Sequence, residues 1–233
     1  VAATSFDYSN LSGRPVGPVV RALGLVLPGV RRVGEQVAPY AAAWGEANRR
    51  ALEEGPAGGP LWVAVGDSMT QGIGASAWDR GWVGQLAPDL VPRHRIVNLS
   101  FNGARVADVL ERQLPALDRL PEVPALVTVM IGSNDLVSRR WREALPASAA
   151  EMLQRLPEGT VVATQPGDAR PSVRTFNRLV DEAARERGLV VADFRDPRMR
   201  SWRGKVAEDH FHPNDRGYAG MAELMGEAVA SRG

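Results

Sequence analysis

Apolar and polar positions alternate along this chain in two distinct rhythms. Five short runs are apolar almost throughout: Leu61–Val65, Arg95–Leu99, Ala125–Ile131, Thr160–Thr164 and Leu189–Asp193. Runs of this length, bounded by glycine or polar turns, read as strands buried on both faces, as in a parallel sheet. Between them the spacing is helical, predicting helices near Gly81–Leu90, Ala104–Leu114, Ser148–Leu156, Ser172–Arg187 and Pro213–Ala230. Gly188 is suited to stop the fourth of these, and Pro213 to open the last. Strand and helix alternating in this way predict right-handed βαβ units and a sheet covered on both faces. All five strand ends then point to one edge, where open α/β sheets bind ligands.

Before the first strand, Val19–Leu27 predicts a short apolar helix stopped by Pro28. Arg31–Glu54 predicts a longer one, with Val33, Val37, Tyr40, Ala41 and Trp44 at helical spacing. Gly55–Pro60, G-P-A-G-G-P, reads as a linker. The division expected is an N-terminal helical arm over residues 1–60, packed on a body over 61–233. The arm is either a plain helical pair or a wall for an acyl chain.

The loops on the expected ligand edge carry unusual polar content. G-D-S follows the first strand, F-N-G the second and G-S-N-D the third, and the fifth leads to E-D-H-F-H-P-N-D. Ser68 lies just past the first strand and is a candidate nucleophile, although G-D-S also reads as an ordinary helix N-cap. The P-loop lysine, the G-x-G-x-x-G spacing and the G-x-S-x-G elbow are all missing. A serine needs a base, and His212 is the candidate. Asp209, three residues earlier, can hold one imidazole nitrogen and leave the other for Ser68. The Ser68 N–H, the Gly103 N–H and the Asn134 amide are candidate oxyanion donors. The other reading of this region is a metal site built from His210, His212, Asp209 and Asp215.

Further candidates carry less chemistry. Asp67 braces the serine loop. Asp135 is a helix cap or orients the site loops. Trp78 and Trp82 are core, rim or substrate platform. Arg139, Arg140 and Arg142 form a solvated face, or meet an anionic substrate group.

Composition narrows the field. The 233 residues carry a net charge of +1, which suits one domain body and gives no electrostatic case for nucleic acid. There is no Cys, hence no thiol nucleophile and no Cys-ligated zinc. With only three His, a His-dependent mechanism has few candidates, and His94 reads as structural. No basic cluster followed by an apolar core opens the sequence, and Val16–Val30 is interrupted by Arg21 and Pro28. The expectation is a cytoplasmic protein with no membrane contact.

G-D-S-M-T, N-L-S-F-N-G, G-S-N-D and D-H-F-H-P-N, in that order, resemble the SGNH/GDSL hydrolases. The four residues of that family's name fall on Ser68, Gly103, Asn134 and His212, and its acid falls on Asp209. Met69 stands where the family usually has leucine. The resemblance covers about Leu61–Arg232. It implies a three-layer α/β/α sandwich with a five-stranded parallel sheet, of flavodoxin-like type. It implies no cofactor and no metal, and transfer of a short- to medium-chain acyl group from an ester or acyl-CoA donor to water or to a sugar hydroxyl; the rival from another class is a catalytically silent ligand-binding module on the same fold. Richness in Ala, Arg, Gly and Pro is of actinobacterial character, and a mycobacterial branch of the family moves octanoyl groups onto glycosylglycerates.

Overall fold

A computed structural model describes residues 6–15, 17–167 and 169–232. Residues 1–5 and 16 of the expected arm, and 168 and 233 of the expected body, lie outside the described residues. Three helices come first: α1 (Pro18–Val26), α2 (Pro28–Glu35) and α3 (Val37–Glu54). Then follow β1 (Leu61–Gly66), α4 (Ser68–Gln71), α5 (Trp82–Leu86) and β2 (Arg95–Asn98). After them come α6 (Val106–Asp108), α7 (Leu114–Leu117), β3 (Leu126–Met130), α8 (Ser133–Val137) and α9 (Arg139–Arg142). The chain closes with α10 (Leu145–Arg155), β4 (Val161–Ala163), α11 (Pro171–Arg187), β5 (Val190–Ala192) and α12 (Asp215–Ala230).

The five strands form one parallel sheet in the order β2-β1-β3-β4-β5. Side chains alternate across β1: Leu61, Val63 and Val65 join one buried cluster, Trp62 and Ala64 the other. The first cluster takes its helical half from α6, α7, α10 and α11, the second largely from α5 and α12. These are the three expected layers. The strand order reverses direction between β1 and β3, so their carboxyl ends open a crevice there.

The edge strand β2 is covered by α3. Asn48 accepts from the Asn98 N–H at 2.7 Å and donates to its carbonyl at 2.8 Å, as a neighbouring strand would. Asn10 donates to the carbonyls of Asn98 and Ser100, each at 2.8 Å. Arg95 is fully buried; its guanidinium reaches the carbonyls of Gly59 and Ala51 and the Glu122 carboxylate. A buried charge partnered this completely ties the linker and the end of α3 to β2.

Three expected elements differ in detail. The helix expected over Arg31–Glu54 is divided at Gln36. Pro39 is the reason: it has no N–H for the Glu35 carbonyl, and its ring would clash there. Likewise Pro115 cannot donate to Glu111, and the helix expected over Ala104–Leu114 becomes α6, a π-turn over Val109–Gln113, and α7. The last helix begins at Asp215, because Asn214 caps it by accepting from Arg216 N–H and Gly217 N–H. Pro213 instead bridges to Val206. Among the described residues, no helix is long and apolar enough to cross a membrane.

Candidate active site

Ser68 is the first residue of α4, at the crevice end of β1. Gln113 fixes the strand end, accepting from Gly66 N–H and donating to the Gly66 carbonyl, both at 2.8 Å. Asp67 caps α4: one carboxylate oxygen accepts from Met69 N–H at 2.9 Å. Its other oxygen accepts from the Ser133 hydroxyl at 2.6 Å, which joins the loop after β1 to the loop after β3. Burial raises the Asp67 pKa, against the lowering pull of these hydrogen bonds.

His212 reaches Ser68 from 144 positions away: its Nε2 lies 2.9 Å from the Ser68 Oγ. Its Nδ1 lies 2.5 Å from Asp209 Oδ2. The geometry arises locally. Val206 and Pro213 form a bridge, Ala207 N–H donates to the His212 carbonyl, and the segment between them is a tight loop. Asp209 shapes the tip by accepting from Phe211 N–H and His212 N–H, both at 3.0 Å. Burial pushes the Asp209 carboxyl up, but the His212 ring and these two N–H groups outweigh it and hold the pKa below the usual range. Gly74 backs the loop so closely that a Cβ there would lie 2.7 Å from the His212 Cβ and 2.5 Å from the Pro213 carbonyl oxygen.

On the opposite side, Asn134 in α8 donates from Nδ2 to the Ala104 carbonyl at 2.9 Å, leaving its second amide hydrogen free of that bond. Gly103 has φ of +76°, which only glycine adopts without strain, and a Cβ there would meet open space. Ser68, Gly103 and Asn134 therefore come from the ends of β1, β2 and β3, with their loops joined by the Asp67–Ser133 and Asn134–Ala104 bonds. A serine with an imidazole on its oxygen, and N–H donors nearby, is an arrangement for attack on an acyl carbonyl.

A profile of the GDSL-like lipase/acylhydrolase family matches residues 64–219, from within β1 into α12. The chain belongs to that family. This GDSL/SGNH hydrolase is therefore an enzyme, built on the family's α/β fold. No curated protein matches the sequence. Among solved structures, LAE5, an alpha/beta hydrolase enzyme from the metagenome of Lake Arreo, is similar at 24% identity and a TM-score of 0.58. That match covers 75% of this chain and 97% of LAE5. TesA is similar at 23% identity and a TM-score of 0.57, over 72% of this chain and 97% of its own. An acetyl xylan esterase from Geobacillus stearothermophilus is similar at 20% identity and a TM-score of 0.55, over 73% and 94%. At these identities the likeness establishes the fold.

The remaining candidates of the GDSL hydrolase divide between the core and the surface. Trp82 has no exposed surface and packs in the core 6.0 Å from Trp62, so it cannot be a substrate platform. Trp78 packs edge-on against Trp44 at 4.8 Å and is part of the core wall. Asp135 is buried and accepts from Val106 N–H at 3.1 Å, joining α8 to α6 rather than facing a ligand. Burial pushes its pKa up to about 6. Asp215, considered with the histidines as a metal ligand, accepts from the Ser76 N–H at 2.7 Å and hydroxyl at 2.6 Å. Among the described residues, no group of three or more His, Asp or Glu side chains is arranged to hold a metal. Arg139 and Arg140 are exposed at the start of α9.

Sequence reasoning missed Gln113, Ser133 and Gln36. Ser133 stood in plain view inside G-S-N-D. Gln113 and Gln36 carry no local signal, because their partners lie 47 and 38 positions away.

Proposed function

We propose that this GDSL hydrolase forms a covalent acyl-enzyme on Ser68. The reading rests on one observation above all: the His212 ring lies between Ser68 Oγ, at 2.9 Å, and Asp209, at 2.5 Å. In the first half-reaction Ser68 Oγ attacks the ester carbonyl carbon and its proton passes to His212 Nε2. The carbonyl oxygen becomes an oxyanion that Ser68 N–H, Gly103 N–H and the Asn134 amide receive. Asp209 holds the tautomer and stabilises the imidazolium. Collapse breaks the ester C–O bond, and the departing alcohol takes the proton from His212. In the second half-reaction an acceptor O–H gives its proton to His212 and attacks the acyl carbon; the bond from that carbon to Ser68 Oγ then breaks, and Oγ takes the proton back from His212.

Water as acceptor makes the enzyme an esterase; a sugar hydroxyl makes it an acyltransferase. Octanoyl transfer to a glycosylglycerate is one instance of the second. The two outcomes share all of this machinery and differ in whether water is kept from the acyl-enzyme. Residues 1–60 act in this reading as an arm that braces the site. Its supports are the hydrogen bonds of Gln36 and Tyr40 to the loop after α4.

A fluorophosphonate probe tests the nucleophile: it labels the parent enzyme at Ser68 and leaves Ser68→Ala unlabelled. Labelling that persists in Ser68→Ala overturns the assignment. Acyl-CoA and p-nitrophenyl esters of graded chain length, with and without sugar acceptors, then separate the two outcomes. Acid release that ignores the acceptor establishes the esterase, and acceptor-dependent acyl transfer establishes the transferase.

A further inference from the structure

Beyond the serine site, two guanidinium groups gather on the ring of Trp141. The Arg105 guanidinium stacks over its ring at 3.9 Å, and that of Arg140 at 4.6 Å. Arg105 lies two residues past Gly103, and Trp141 lies in α9, directly after the helix that carries Asn134. Two hydrogen bonds, Asn134 to Ala104 and Val106 to Asp135, hold these loops together. The stacked arginines therefore belong to segments that adjoin those of Gly103 and Asn134.

Several helical arginines elsewhere have an acid one turn away. Arg49 and Arg50 pair with Glu46, Arg155 with Glu151, and Arg178 with Glu182. The α9 segment has no such pair among the described residues. Arg139, Arg140 and Arg142 fall within four residues, and among the described residues none of them makes an ion pair. Glu143, the sole acid from 136 to 144, is exposed and makes none either. Arg105 has only Asp108, at 3.5 Å, and Arg14 shares that carboxylate at the shorter distance of 2.7 Å. The Arg142 Nε is buried with no hydrogen-bond partner. Like charges this close repel one another, so the cluster is costly unless an anion relieves it. Stacking on an indole fixes the plane of a guanidinium while its N–H edge stays available for a carboxylate or phosphate.

We propose that Arg105 and Arg140, held on Trp141, form a subsite for an anionic group, carboxylate or phosphate, on the substrate of the Ser68 reaction. The proposal rests on that reading of Ser68. It makes charge on the substrate a determinant of specificity, separate from acyl-chain length.

Two matched substrate pairs test it. One is butyryl 3-hydroxybenzoate against butyryl 3-hydroxybenzamide, which differ in a carboxylate. The other is butyryl-CoA against butyryl-N-acetylcysteamine, which differ in the phosphates. The readout is the ratio of kcat/KM, charged over neutral. The parent enzyme favours the charged member of one pair, and that pair names the anion. Arg140→Ala and Arg105→Ala each lower the ratio about tenfold, as loss of one charge-assisted contact does. Arg140→Lys keeps part of it, and Arg119→Ala, which removes the same charge from an exposed site elsewhere, leaves it unchanged. No charge preference in the parent, or ratios that survive in both alanine variants, overturns the proposal. If no substrate turns over and Ser68 resists the fluorophosphonate, the Ser68 reading has failed. The subsite is then judged by calorimetric titration of 3-hydroxybenzoate and coenzyme A. Binding to the parent that Arg140→Ala weakens supports it; no binding to the parent overturns it.

Discussion

The side-chain amide of Gln36 holds two consecutive residues, accepting from Gly74 N–H at 2.8 Å and donating to the Ala75 carbonyl at 3.1 Å. Gly74 in turn lies against the His212 Cβ. A residue in the break between two N-terminal helices thus supports the loop that backs the candidate base. Gln36→Ala should cost roughly 1–2 kcal/mol, about 1 for each lost hydrogen bond, and should lower kcat by letting the His212 loop shift. Urea unfolding and steady-state kinetics check this. Gln36→Glu keeps the acceptor and should recover part of both effects; a variant with parental stability and kcat would remove Gln36 from this role.

The triad and its oxyanion donors predict a graded series. Asp209→Asn should lower kcat by on the order of 10³–10⁴, because the imidazole loses the acid that fixes its tautomer. Asn134→Ala should lower kcat by about 10²–10³, as loss of one oxyanion donor does, with little change in KM. A KM effect alone would make Asn134 a ground-state contact.

Gly103 tests the backbone. At φ of +76°, an alanine is strained by about 1–2 kcal/mol and its methyl enters the space beside the donor. Gly103→Ala should therefore lose both stability and kcat, measured by thermal melting and ester hydrolysis. Parental values for both would show that this N–H and its conformation are dispensable.

Buried carboxylates set opposite pH dependences. The Asp135 pKa rises from 3.8 to about 6 on folding, so its favourable contribution is complete below about pH 3.8 and is lost as pH climbs through 6. Asp135→Asn, which keeps an acceptor for Val106, should gain stability relative to the parent between pH 4 and about 7. The Asp209 carboxyl is held low, so its contribution is present above its unfolded pKa and is lost as pH falls through the folded one. Thermal melts of parent and Asp135→Asn across this range check the first sign; a stability difference that does not widen with pH would contradict it.

Residues next to each other in sequence settle their own geometry, and those parts were legible early. The strands show as apolar runs because a sheet covered on both faces leaves few polar positions within them, Arg95, Asn98 and Thr128 being the exceptions. Asp209 and His212 read as a pair because three positions of a tight loop bring acid and ring together without help from the rest of the chain. The helix breaks at Pro39 and Pro115 go unread, because the uninterrupted apolar periodicity over Arg31–Glu54 and Ala104–Leu114 conceals them.

The sequence alone determined the class of fold, the edge on which the polar loops gather, and the kinds of side chain available for acyl chemistry. Tertiary structure decided which groups touch. It brought His212 to Ser68, placed Trp82 in the core, turned Asp135 toward Val106 and put Arg105 on Trp141. The physical reason is that helix and strand preferences act over a few residues. Which distant side chain fills a given contact depends on how whole layers pack, and Trp82 and Trp78 look alike until a β1 tryptophan claims one of them.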